Sequence, residues 1–192
     1  TALYGPIGEW NVSQMTDMSN LFKFNSTFNS NINNWNVSNV TNMAHMFWYA
    51  TIFNQPLDKW NTSKVTNMNT MFNGTDAFNQ DINTNVQTRN DGTQYVAWDV
   101  SNVENMTDMF SVTTAFNQPI NKWNISNVKN MQQMFRQSIF NQNITENEVS
   151  FTINDKTNTY DAWNVSNVTN MYAMFHQNNT FNNGSVDING NP

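Results

Sequence analysis

The stretch Trp35-Asn36-Val37-Ser38-Asn39-Val40-Thr41-Asn42-Met43-Ala44-His45-Met46-Phe47 returns almost unchanged as Trp163-Asn164-Val165-Ser166-Asn167-Val168-Thr169-Asn170-Met171-Tyr172-Ala173-Met174-Phe175. Related copies start at Trp10, Trp60, Trp98 and Trp123, and the successive gaps are 25, 25, 38, 25 and 40 residues. A period of this length signals stacked supersecondary units, each too small to hide its own apolar side chains. The reading is therefore a repeat solenoid covering residues 1–192, with a 25-residue coil interrupted twice. Its expected structural core is the row Trp10, Trp35, Trp60, Trp98, Trp123 and Trp163.

With each Trp numbered 0, apolar residues fall at +2, +5, +8, +11, +12, +18 and +22; in the second unit these are Val37, Val40, Met43, Met46, Phe47, Phe53 and Leu57. Spacings of three and four over +5 to +12 predict one apolar face of a short helix. Ser at +3, from Ser13 to Ser166, stands where an N-cap would. The segment +20 to +1 predicts a short strand paired in parallel with its neighbours. Asn or Asp recurs at +1, at +7 and after the second Phe, which predicts side-chain ladders between coils.

The pattern W-[ND]-x-S-x-V-x-[ND]-M-x-x-M-F followed by F-N-Q resembles the BspA-like leucine-rich-repeat family. That family comprises bacterial surface proteins with a 26-residue repeat, also known as the Mycoplasma lipoprotein-associated domain of unknown function. The resemblance covers nearly the whole chain outside the two interruptions. It implies an α/β repeat solenoid, leucine-rich-repeat-like, of about six coils, each with a short parallel strand and a short helix. It also implies a role in adhesion and protein contact, with no catalytic residues. Two features depart from the family: Asn stands where Asp is usual, and the inserts lie outside the standard unit.

Both inserts precede a Trp. In residues 84–97, alternation at Val86 and Thr88 leads to Asn90-Asp91-Gly92 and returns through Tyr95 and Val96. In residues 146–162, Val149, Phe151 and Ile153 alternate, Asn154-Asp155 turns the chain, and Tyr160 lies on the return. Both read as β-hairpins. Standing out from the coils, they would offer Tyr95, Val96, Phe151, Ile153 and Tyr160 to a partner; folded back, they would shield one flank. Trp48 and Tyr49 follow the helical Phe without repeating in other units, so they join the partner-contact candidates.

Asn, at 40 of 192 residues, supplies most of the polarity. A net charge of −6 with eight Lys and Arg leaves no basic stripe for phosphates, so nucleic acid is not an expected partner. Without Cys, and with only His45 and His176 in different columns, no metal centre, thiol chemistry or cofactor is expected. Nor does a nucleophile elbow, phosphate loop or zinc-hydrolase motif occur, so no enzymatic activity is expected. No apolar run suits membrane insertion.

Glycan acceptors are expected at Asn25, Asn73 and Asn178, with Asn143 and Asn183 as further candidates, if the chain meets a glycosylating compartment. The functional expectation is a non-enzymatic scaffold, extracellular or exposed on a cell or virion surface, mediating protein contact, adhesion or assembly. The alternatives are a carbohydrate-binding module using exposed aromatics such as Trp48, Tyr49 and Tyr172, or a subunit that self-assembles into filaments or a virion surface. Filament formation is suggested by uncapped ends: apolar Thr1-Ala2-Leu3-Tyr4, and a turn-rich tail from Asn183 to Pro192.

Overall fold

A computed structural model describes residues 4–183, so most of the two end segments just named lies outside the described residues. Among the described residues there are five elements: a 3-10 turn at Ile7–Glu9, then β1 (Asn85–Thr88), β2 (Gln94–Ala97), β3 (Asn147–Ile153) and β4 (Lys156–Ala162). Among the described residues there is no α-helix, and no coil has a strand of its own. The α/β leucine-rich-repeat-like solenoid, with a helix and a parallel strand in every coil, is therefore not what forms.

Backbone handedness explains the missing helix. Position +10 has positive φ in all six units (Asn20, His45, Thr70, Asp108, Gln133, Ala173). Position +14 does too, at Phe24, Tyr49, Gly74, Val112, Gln137 and Gln177. An α-helix cannot continue through left-handed residues, each costing about 1–2 kcal/mol when not Gly. Instead, overlapping turns close locally: Met46 N–H to Met43 O at 3.2 Å, Trp48 N–H to His45 O at 3.2 Å, and Ala50 N–H to Phe47 O at 2.8 Å.

The intervening N–H groups swing out to the following unit. Those of Met43, His45, Phe47 and Tyr49 donate to the carbonyls of Asn67, Asn69, Met71 and Asn73 at 2.8–2.9 Å. The same four bonds recur at every junction between units, offsetting the backbone cost. Isolated parallel bridges join Asp17, Asn42, Asn67, Asn105, Asn130 and Asn170 in one line. The +20 to +1 segment turns rather than extends, as in Trp60 N–H to Leu57 O at 3.1 Å, which is why the expected strand is absent.

The serine expected as an N-cap acts as a donor instead. Asn36 Oδ1 accepts Ser38 N–H at 3.2 Å and the Ser38 hydroxyl at 2.7 Å, and the other units close the same side-chain turn onto the serine N–H. Position +7 works likewise, with Asn42 Oδ1 accepting Ala44 N–H at 3.1 Å. The Asn after the second Phe does link units, Asn54 N–H reaching Asn29 Oδ1 at 3.0 Å and Asn79 N–H reaching Asn54 Oδ1 at 3.0 Å.

Between these rows lie two columns of rings. Phe22, Phe47, Phe72, Phe110, Phe135 and Phe175 stack with centroids 5.5–5.7 Å apart. Phe28, Phe53, Phe78, Phe116, Phe140 and Phe181 follow at 5.6–6.3 Å. Trp35, Trp60, Trp98, Trp123 and Trp163 are buried beside them, each indole N–H donating to a carbonyl of an earlier unit at 2.7–3.2 Å. Trp10 differs. It is 44% exposed, and among the described residues its ring meets Tyr4 edge-on and its indole N–H donates to Tyr4 O at 3.0 Å.

Strand β1 pairs antiparallel with β2, Asn85 opposite Ala97, and β3 pairs with β4, Asn147 opposite Ala162. Asn154 and Asp155 both have positive φ, the geometry of a two-residue type I′ loop.

Candidate contact surfaces

The hairpins lie along the flank of the stack. Tyr95 donates its hydroxyl to Lys59 O at 2.7 Å, and Tyr160 does the same to Lys122 O. Each acceptor immediately precedes the Trp of an earlier unit. The hairpins also meet each other, Asn154 N–H donating to Gln94 Oε1 at 3.0 Å. Burial raises the Tyr95 phenol and pushes that of Tyr160 up to about 12. Phe151 packs edge-on against Tyr160, and Val96 and Ile153 are half-buried. The hairpin candidates therefore face the protein's own coils more than solvent.

Trp48 and Tyr49 enter a larger surface cluster. Phe24 lies 4.9 Å from the Trp48 ring and 6.0 Å from Tyr49, and Phe24 is 60% exposed. Tyr49 is exposed as well. Lys23 Nζ sits 4.3 Å from the Trp48 ring centroid, an aromatic–cation contact. The His45 ring also lies 5.2 Å from Trp48, its pKa lowered by burial and then by the Lys23 charge. Trp48 Nε1 is buried with no acceptor among the described residues. Phe24 and Lys23 escaped sequence reasoning, because a helical frame does not bring +13 and +14 of adjacent units together. The usable signal was that +14 is aromatic in the first two units only. Tyr172, 72% exposed, stands apart from this cluster in the last unit.

The glycan candidates fall into unlike settings. Asn25 and Asn143 are exposed, and each Oδ1 accepts the hydroxyl of its own sequon threonine, at 3.1 and 2.6 Å. Asn178 commits its Nδ2 to Ser138 Oγ and Phe140 O. Beside Asn73, the sequon Thr75 is buried and donates to Phe47 O at 2.7 Å. Asn183 donates to Thr145 Oγ1 at 3.0 Å, and the rest of its sequon lies outside the described residues.

Another concavity, of about 680 Å³, opens between the first hairpin and the second and third units. Asn34, Asn36, Lys59, Asn61 and Arg89 line it; Asn36 and Asn61 belong to the +1 column read from the sequence, and the other three were not singled out. Among the described residues no group of three or more His, Asp or Glu is placed to hold a metal ion. No helix among them is long and apolar enough to cross a membrane.

No curated protein and no solved structure matches the chain. A family model described as Mycoplasma protein of unknown function, DUF285, matches residues 1–95, 93–161 and 151–190. Those three matches tile nearly the entire sequence, as a repeated unit would, and the chain belongs to that family.

Proposed function

We propose that this chain is a non-enzymatic repeat scaffold exposed on a cell or virion surface, where it makes protein contacts. The observation that carries the reading is the exposed pair of Phe24 and Tyr49 packed with Trp48. Aromatic side chains gathered in one exposed patch are the usual energetic centre of a protein interface. The resemblance to BspA-like surface repeats, which mediate adhesion, supports the same role and location. Sugar stacking on Trp48 is the weaker alternative, since Lys23 already lies over that ring.

Surface plasmon resonance against a panel of purified extracellular and surface proteins tests the proposal. Saturable binding to a panel member is expected. It should weaken at least about tenfold in Phe24→Ala/Tyr49→Ala, because aromatic hot spots at an interface centre contribute about 2 kcal/mol or more. Circular dichroism melts confirm that the variant stays folded. Binding to no member of the panel, or binding indifferent to both substitutions, would count against the contact role.

A further inference from the structure

The concavity beneath the first hairpin has a chemistry unlike the rest of the surface. Its volume of about 680 Å³ lies within the range of small-ligand sites. The hairpin wall is anchored to the coils, with Tyr95 hydroxyl on Lys59 O at 2.7 Å and Gln87 Nε2 on Asp58 O at 3.4 Å. Trp35, 4% exposed, contributes to the floor.

The opposite wall presents amides whose oxygens are occupied and whose nitrogens are not. Asn36 Oδ1 is held by Ser38 and Asn61 Oδ1 by Ser63, in identical turns one unit apart. Asn34 Oδ1 accepts from Lys59 Nζ at 3.5 Å. The Nδ2 groups of Asn34, Asn36 and Asn61 donate to nothing among the described residues. Two of the eight cationic side chains, Lys59 and Arg89, converge here in a chain of net charge −6. Arg89 is braced over the Tyr95 ring at 4.3 Å. Asp91, the carboxylate in the lining, has one oxygen engaged by Thr93 N–H at 2.9 Å and the Thr93 hydroxyl at 2.7 Å, and its charge interacts with Arg89, leaving the lining with a net positive charge.

Neutral amide donors beside a pair of cations suit a ligand rich in oxygen acceptors that also bears a carboxylate. We propose that this cleft binds a carboxylate-bearing saccharide of the uronate type. Lys59 and Arg89 take the carboxylate, while Asn34, Asn36 and Asn61 donate to ring hydroxyls. A peptide fits less well, because its own N–H groups would need acceptors, and the Oδ1 atoms of Asn34, Asn36 and Asn61 are already engaged. The site is separate from the aromatic patch, so it stands or falls independently of the protein-contact role.

Isothermal titration of the intact 192-residue chain with a tri-galacturonate provides the test. The matched neutral trisaccharide and a tri-glutamate peptide serve as comparison probes. Saturable uronate binding is expected, falling at least about tenfold in Lys59→Gln/Arg89→Gln, since a hydrogen bond to a charged group contributes roughly 1.5–3 kcal/mol. Asn36→Asp/Asn61→Asp keeps the oxygen that closes each turn, as Asp99 does at this position, but replaces the donor with a negative charge. That variant should stay folded and lose uronate binding. The proposal is overturned by no binding at millimolar uronate, by binding unchanged in either double variant, or by equal affinity for the neutral sugar. Equal or tighter binding of tri-glutamate would overturn it too, marking the cleft as an acidic-peptide site instead.

Discussion

Gly74 is the one residue at +14 without a side chain, and two observations tie it to that place. Its φ is +63°, and a Cβ there would fall 2.6 Å from the Tyr49 ring. The glycine therefore makes room for the ring that roofs the aromatic patch. Gly74→Ala should cost more than the roughly 1 kcal/mol of left-handed strain alone, because the ring must also shift. In Tyr49→Ala the same glycine substitution should cost only the strain. Denaturant unfolding of the four-member cycle measures the coupling, and strictly additive costs would refute the contact. The Phe columns and five of the six Trp were legible at this scale because burial repeats with the period; Trp10, expected in the core, is exposed instead. The tyrosine's position over Gly74 was not, since it depends on how adjacent units are aligned.

Among the elements, the hairpins were readable from local chemistry. Asp91-Gly92 and Asn154-Asp155 are turn formers whose backbone demands act within a few residues, and Gly92, Asn154 and Asp155 do take positive φ. The helix expected over +5 to +12 failed for an equally physical reason. Overlapping turns also advance about three residues at a time, so apolar spacings of three and four suit them as well as a helix. Left-handed positions held by Asn, His, Thr, Asp, Gln and Ala carry no glycine signal to betray them.

The second hairpin is anchored through the Tyr160 phenol, which yields a pH prediction. Its pKa rises from an ordinary 10 to about 12 because burial disfavours the phenolate. A raised folded-state value means that its stabilising contribution is complete below pH 10 and disappears as pH climbs to about 12. Thermal melts across that window should show the stability of Tyr160→Phe falling less steeply than that of the parent. Identical slopes would show that the phenol does not govern the hairpin's alkaline release.

For the whole molecule, stability is a sum over junctions, each supplied by the same inward-facing rings and the same four main-chain bonds. Hydrogen exchange should report this directly. The N–H groups of Met68, Thr70, Phe72 and Gly74 have partners in the following unit and should exchange slowly. Those of Met171, Ala173, Phe175 and Gln177 have no acceptor among the described residues and should exchange fastest within this series. Uniform protection across all six units would contradict junction-by-junction bonding.

In a sheet, successive peptide groups point to opposite sides and their dipoles cancel. Here the four bonds at each junction all point their N–H the same way, from the first Trp-led unit toward the sixth. Peptide dipoles of about 3.5 D therefore add along the stacking axis, at right angles to the chain's local course. The outcome is a macrodipole of opposite polarity to that of a helix, with its positive pole at the later unit and its negative pole at the earlier one. Anions should consequently be drawn toward the face that bears Tyr172, even though the protein as a whole is acidic.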